Sequence, residues 1–146
     1  MFGRFAFAGA VLIALGSTSA YAGSPVGLWM LKKVCPQASQ SQCAVQVTFG
    51  NGNKATTEQF EFKKHQRQLA VTYQHGNNNV AYTGQVETKP WASQTSLTVQ
   101  TGDGNHGFTY QDGGHNFSST VQDGNGTWAA SSSIGVGTYT SVHVSN

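Results

Sequence analysis

The sequence predicts an all-β fold: a β-solenoid of about nine short strands built from stacked strand-turn-strand repeats. Three observations carry this expectation. A seven-residue pattern recurs from residue 42 to residue 144. Its positions 1, 3, 5 and 7 are the restricted ones, and a period of two places side chains on one face of a β-strand. The links between units are short and carry glycine, which accepts positive φ without steric penalty and so suits tight turns.

The first 22 residues stand apart. Arg4, the apolar run FAFAGAVLIAL and the small-x-small ending Ala20-Tyr21-Ala22 predict a secretory signal peptide over 1–22. That run is too short to span ~30 Å of hydrocarbon as a helix. The expected mature chain begins near Gly23 and is exported. Residues 23–41 form an unrepeated N-terminal leader. Cys35 and Cys43 are the chain's two cysteines, and in an oxidising compartment they predict a short disulfide. Cys43 sits at position 2 of the first unit. A bond to Cys35 would fold Leu28, Trp29, Met30 and Leu31 over Val45 and Val47.

Residues 42–146 are the repeat domain. The unit reads Asn or Gln, any, small, any, Thr, any, Gln. Full or near-full copies open at Asn53, Gln68, Asn79, Gln94, Asn105 and Asn116, and close at Gln59, Gln74, Gln85, Gln100, Gln111 and Gln122. Threonine recurs at Thr57, Thr72, Thr83, Thr98, Thr109 and Thr120. Residues 42–48, 127–133 and 138–144 are worn copies. Six links have four residues and place glycine second: Gly50, Gly76, Gly102, Gly113, Gly124 and Gly135. The other two, 60–67 and 86–93, both have eight residues and lack that glycine. Stacking such units at ~4.8 Å brings like amides above one another, where they can form hydrogen-bonded ladders. The alternate positions hold Val45, Leu69, Val71, Tyr73, Tyr82, Leu97, Phe108 and Phe117, which ordinary hydrophobic burial would place inside. Sequence leaves open which face is inward.

Composition narrows the function. Charged residues are 10% of the chain, against about 25% for a typical globular domain. A formal charge of +2 excludes a basic nucleic-acid binder. The five histidines are scattered, and no CxxC or HExxH spacing occurs, so neither metal nor cofactor is expected. Asp103, Asp112 and Asp123 recur in glycine turns as turn formers rather than as a paired acid and base. Their carboxylates are too few per turn for a strong calcium site. No enzyme is expected.

Segments such as Gln74-HGNN-Asn79-Val-Ala81-Tyr-Thr-Gly-Gln85 and Gln100-TGDG-Asn105-His-Gly-Phe-Thr-Tyr-Gln111 resemble the curlin repeat, Q-x-G-x-G-N-x-A-x-x-x-Q. The resemblance covers roughly residues 42–144. It implies a secreted subunit of curli-type functional amyloid, major subunit or nucleator, with the repeat Asn and Gln directed into a narrow core. It also implies passage through the periplasm and an outer-membrane curli secretion pore with accessory chaperones. Self-assembly into adhesive cell-surface fibres of the biofilm matrix would follow. Three features depart from the family: Thr at position 5, the two long links, and the leader with its cysteine. A second expectation, of another class, is a soluble β-solenoid presenting its Thr/Asn/Gln face to ice or a polysaccharide.

Overall fold

The structure, a computed structural model, describes residues 10–14, 42–62 and 66–146. The expected cleavage site at Ala22, the leader 23–41 and Cys35 lie outside these residues. Nine strands follow the repeat units: β2 (Gln42–Phe49), β3 (Lys54–Glu61), β4 (Arg67–His75), β5 (Val80–Glu87), β6 (Ser93–Thr101), β7 (His106–Gly114), β8 (Asn116–Asp123), β9 (Trp128–Val136) and β10 (Tyr139–Ser145). A further strand, β1 (Ala10–Ala14), precedes them and falls within the segment read as a signal peptide.

The strands form a β-solenoid. Successive strands alternate between two sheets, one ordered β1-β2-β4-β6-β8-β10 and the other β3-β5-β7-β9. Every pairing is parallel, because each coil returns the chain to the same starting side. Register follows the repeat frame: Gln68 pairs with Gln42 and Gln94, Gln85 with Gln59 and Gln111, and Gln100 with Gln74 and Gln122. β1 lies along the free edge of β2, with Ala10 opposite Ala44 and Ala14 opposite Thr48. β3, β9 and β10 end their sheets.

The links are what hold the register. All six second-position glycines have φ between +102° and +127°. A Cβ on Gly50, Gly76 or Gly102 would run into the carbonyl oxygen of the corresponding glycine one coil further on. The fourth link position also has positive φ, filled by Gly52, Asn78, Gly104, His115, Gly126 and Gly137. Backbone hydrogen bonds therefore continue through the turns, as in Gly102 N to His75 O at 2.9 Å and Gly104 N to Asn77 O at 2.8 Å.

The described ends of link 60–67 bond to link 86–93, which fits their equal length. Arg67 N donates to Ala92 O at 3.0 Å. Gln66, 1% exposed, accepts from Phe62 N at 3.0 Å and donates to Glu87 O at 3.1 Å and Lys89 O at 2.8 Å. A single long link would leave those groups without partners, and a buried unpaired peptide group costs ~1–3 kcal/mol.

Steric contact between coils predicts a graded glycine series. Gly102→Ala combines a φ of +102° with a clash against the next coil's backbone and should lower stability by ~2 kcal/mol or more. Gly137 has φ +71° and open space around its would-be Cβ. Since Asn tolerates this conformation, Gly137→Asn should change stability by less than ~1 kcal/mol. Denaturation midpoints of the two variants check the ordering.

Candidate functional site: a buried amide core with open ends

The Asn, Thr and Gln columns face inward. This settles the question that periodicity left open, and against the direction of ordinary hydrophobic burial. Among the described residues, 6 hydrophobic and 23 polar or charged residues are buried. The physical reason is the length of the amides. A glutamine amide has two donors and one oxygen that accepts. It can therefore bond along the stack and across to the facing sheet at once.

Three glutamine columns do this. Gln59 Nε2 donates to Gln85 Oε1, and Gln85 Nε2 to Gln111 Oε1, each at 2.7 Å. Gln74 Nε2 donates to Gln100 Oε1 at 2.7 Å, and Gln100 Nε2 to Gln122 Oε1 at 2.8 Å. Gln42, Gln68 and Gln94 form the third at 3.2 and 3.3 Å, and Asn116 continues it in register. Each column also reaches the other sheet's backbone: Gln100 Nε2 to Val80 O at 2.9 Å and Gln111 Nε2 to Thr95 O at 2.9 Å are examples.

A fourth column is asparagine. Asn79 N donates to Asn53 Oδ1, and Asn105 N to Asn79 Oδ1, each at 2.9 Å. Their Nδ2 groups bond the glycine carbonyls of the next coil: Asn53 to Gly76, Asn79 to Gly102 and Asn105 to Gly124, all at 2.8 Å. One residue thus joins two coils and braces the turn glycine. Asn53 and Gln59, in the first coil, are half-buried. Gln68, Gln74, Asn79, Gln85, Gln94, Gln100, Asn105, Gln111, Asn116 and Gln122 are buried.

Between the amide columns the sheets come close. Thr98 and Thr109 hydroxyls lie 3.3 Å apart, Thr109 and Thr120 3.0 Å, and Thr120 and Ser131 2.8 Å, zigzagging between the sheets. Small residues at position 3 permit this approach. A Cβ on Gly107 would sit 2.8 Å from Gln122 Oε1 and 3.1 Å from Gln100 Nε2.

The outer face carries rings stacked along the coils: Tyr82 on Phe108 at 5.1 Å, His106 on Trp128 at 4.3 Å, and Phe117 on Tyr139 at 5.0 Å. Tyr82 Oη donates to Glu58 Oε2 at 2.8 Å, which holds its phenol above the usual range. Outside the site expected from sequence, a ladder in the turns runs Asn51 N to Asn77 Oδ1, Asn77 N to Asp103 Oδ1, and Asp103 N to Asn125 Oδ1. Its signal was the recurrence of Asn or Asp third in four links. Cys43 is disulfide-bonded. Val45 is 4% exposed, although the leader residues expected over it lie outside the described ones. Among the described residues no group of three His, Cys, Asp or Glu is placed to hold a metal.

Two defects in the core are informative. Gln74 Oε1 is buried without a hydrogen-bond partner, because the residue above it in the column is Thr48 rather than Gln. Glu87 follows the inward alternation of β5 and is fully buried, with both carboxylate oxygens unpartnered. Its position is occupied by Glu61 in the coil above and by Gly113 in the coil below. Burial pushes its pKa up to about 7, the Lys89 backbone partly opposes this, and the charges of Asp112 and Glu61 add to it.

No protein-family model matches the chain, and no curated protein matches its sequence.

The column geometry predicts opposite effects at two positions. Thr48→Gln supplies the missing donor to Gln74 and should add ~1 kcal/mol. Gln100→Ala leaves Gln122 Oε1 unpaired and Gln74 Nε2 with Lys54 O alone, around a cavity, and should remove ~3 kcal/mol. Denaturant titration of both variants measures the difference.

Glu87 predicts a pH dependence. Its folded pKa of about 7 exceeds the ordinary 4.5, so the native chain holds a proton that the unfolded chain releases between those values. This contribution to stability is fully present below about pH 4.5, is lost as pH rises towards 7 and stays lost above it. Glu87→Gln should remove that slope and be the more stable protein at pH 8, as thermal melts across pH 4 to 8 would show.

Proposed function

We propose that the chain is a secreted structural subunit of curli-like extracellular amyloid fibres, serving adhesion and the biofilm matrix as a major subunit or nucleator. One observation carries this reading. Columns of identical buried amides run through parallel coils whose terminal strands β3, β9 and β10 have, among the described residues, no strand on their outer edges. Parallel in-register stacking with amide ladders is the bonding pattern of cross-β fibres. An unpaired strand edge is a template for another chain. The match to Q-x-G-x-G-N-x-A-x-x-x-Q, repeated between Gln74 and Gln122, supports the curlin assignment. On this reading the leader directs export, and a curli-type pore with its accessory chaperones delivers the chain to the cell surface. The partners are copies of itself and the companion fibre subunit.

The alternative, a soluble module presenting its Thr/Asn/Gln face to ice or polysaccharide, has less to stand on. Thr72, Thr83, Thr98, Thr109 and Thr120 are each at most 1% exposed, so that column offers nothing to a ligand.

Incubation of the purified chain with an amyloid-binding dye should show a lag and then growth, shortened by preformed seeds. The product should diffract at ~4.8 Å along the fibre axis. A chain that stays monomeric for days at high concentration, or that shows thermal hysteresis without fibres, contradicts the proposal.

A further inference from the structure

Among the described residues, six of the eight exposed large hydrophobic side chains lie on or beside the end strands, Trp91 and Phe108 being the other two. Phe60 is 49% exposed on β3 and Phe62, one residue beyond β3, is 66% exposed. At the other end Trp128 is 75%, Ile134 66% and Val136 64% exposed on β9, with Tyr139 72% exposed on β10. In the interior coils the same outward columns are filled by Val80, Tyr82 and Val86, each covered by a neighbour above and below. Among the described residues, side chains on the end strands have a strand neighbour on one side only.

The register states what a second copy would supply. Sheet columns run Lys54–Val80–His106–Trp128, Thr57–Thr83–Thr109–Ser131 and Phe60–Val86–Asp112–Ile134. Continuing the same parallel step past β9 places β3 of a second copy next to it. Ile134 then meets Phe60, and Val136 lies beside Phe62. Trp128, one ring face of which already stacks on His106, offers its other face to Lys54, a cation–π arrangement. Inside, Ala129 meets Ala55 and Ser131 meets Thr57, so the small and hydroxyl columns continue. Two positions interrupt amide columns, Ser133 against Gln59 and Thr127 against Asn53. On the other sheet β10 meets β2, an edge that is free once β1 is absent.

From this complementarity we infer that copies join head to tail, β9 of one against β3 of the next. The register is Trp128 to Lys54 and Ile134 to Phe60. The inference rests on the fibre reading and specifies its interface. The contact is heterologous, so it propagates instead of closing into a dimer. A head-to-head arrangement would set β9 against β9 and would abandon the parallel pairing found at every other step.

Charge placement tests the register. Ile134→Asp, Phe60→Lys and the double variant are compared with the wild type, with residues 1–22 present and after their removal at Ala22. Both sites are solvent-exposed, and unchanged β-type circular dichroism verifies the fold of each variant. Each single substitution places an unpaired charge in the junction and should slow seeded growth about tenfold or more. The double variant pairs Asp with Lys at every head-to-tail junction and should recover to within about threefold of wild type. A double variant as slow as the slower single, or singles that grow at the wild-type rate, overturns this register and leaves the fibre reading standing. A wild type that never assembles overturns both.

Discussion

The structure depends on the glutamine amide placed inside a dry, narrow core. A buried polar group costs stability unless its hydrogen bonds are made. Gln85 makes them by donating to Gln111 Oε1 and Leu69 O while accepting from Gln59. The same residue therefore fixes the step between coils and the distance between sheets. Everything else is arranged to keep that amide in place: small residues at position 3, hydroxyls at position 5, and glycine turns of one conformation.

This explains why the usual polarity is reversed. Leucine and phenylalanine in the interior would fill space but impose no register along the stack. Amides impose it, because a shift of one residue would turn each of them to the outer face. The apolar side chains left outside are not idle. Tyr82 on Phe108, and Phe117 on Tyr139, lie nearly parallel and cover one another between coils. The burial they achieve is between neighbours on one face, not within a central core.

Much of this was legible in the sequence. The nine repeat strands, the positive-φ glycines and the stacking of like amides follow from the seven-residue frame and its link lengths, whereas the pairing of each strand with the next but one is seen only in the sheet order. The direction of the columns was not legible, because period-two alternation labels two faces without saying which is enclosed. The role of the long links was also hidden. Their equal length was visible, but that Gln66 bridges Phe62, Glu87 and Lys89 depends on one link lying over the other. Glu87 was missed because it sits two residues past the closing Gln85, where units followed by a short link carry the turn glycine. Its burial is a product of the long link and not of the repeat.

The account stands on the claim that the repeat amides, and not the outer aromatics, are the part withdrawn from water. Hydrogen exchange of side-chain amide protons, resolved by isotope-labelled NMR of the assembled protein, tests it most directly. The account predicts slow exchange at Gln85, Gln100 and Gln111, with fast exchange at Asn77 in the exposed turn. Fast exchange at those three glutamines, with the Tyr82 hydroxyl protected instead, would contradict it.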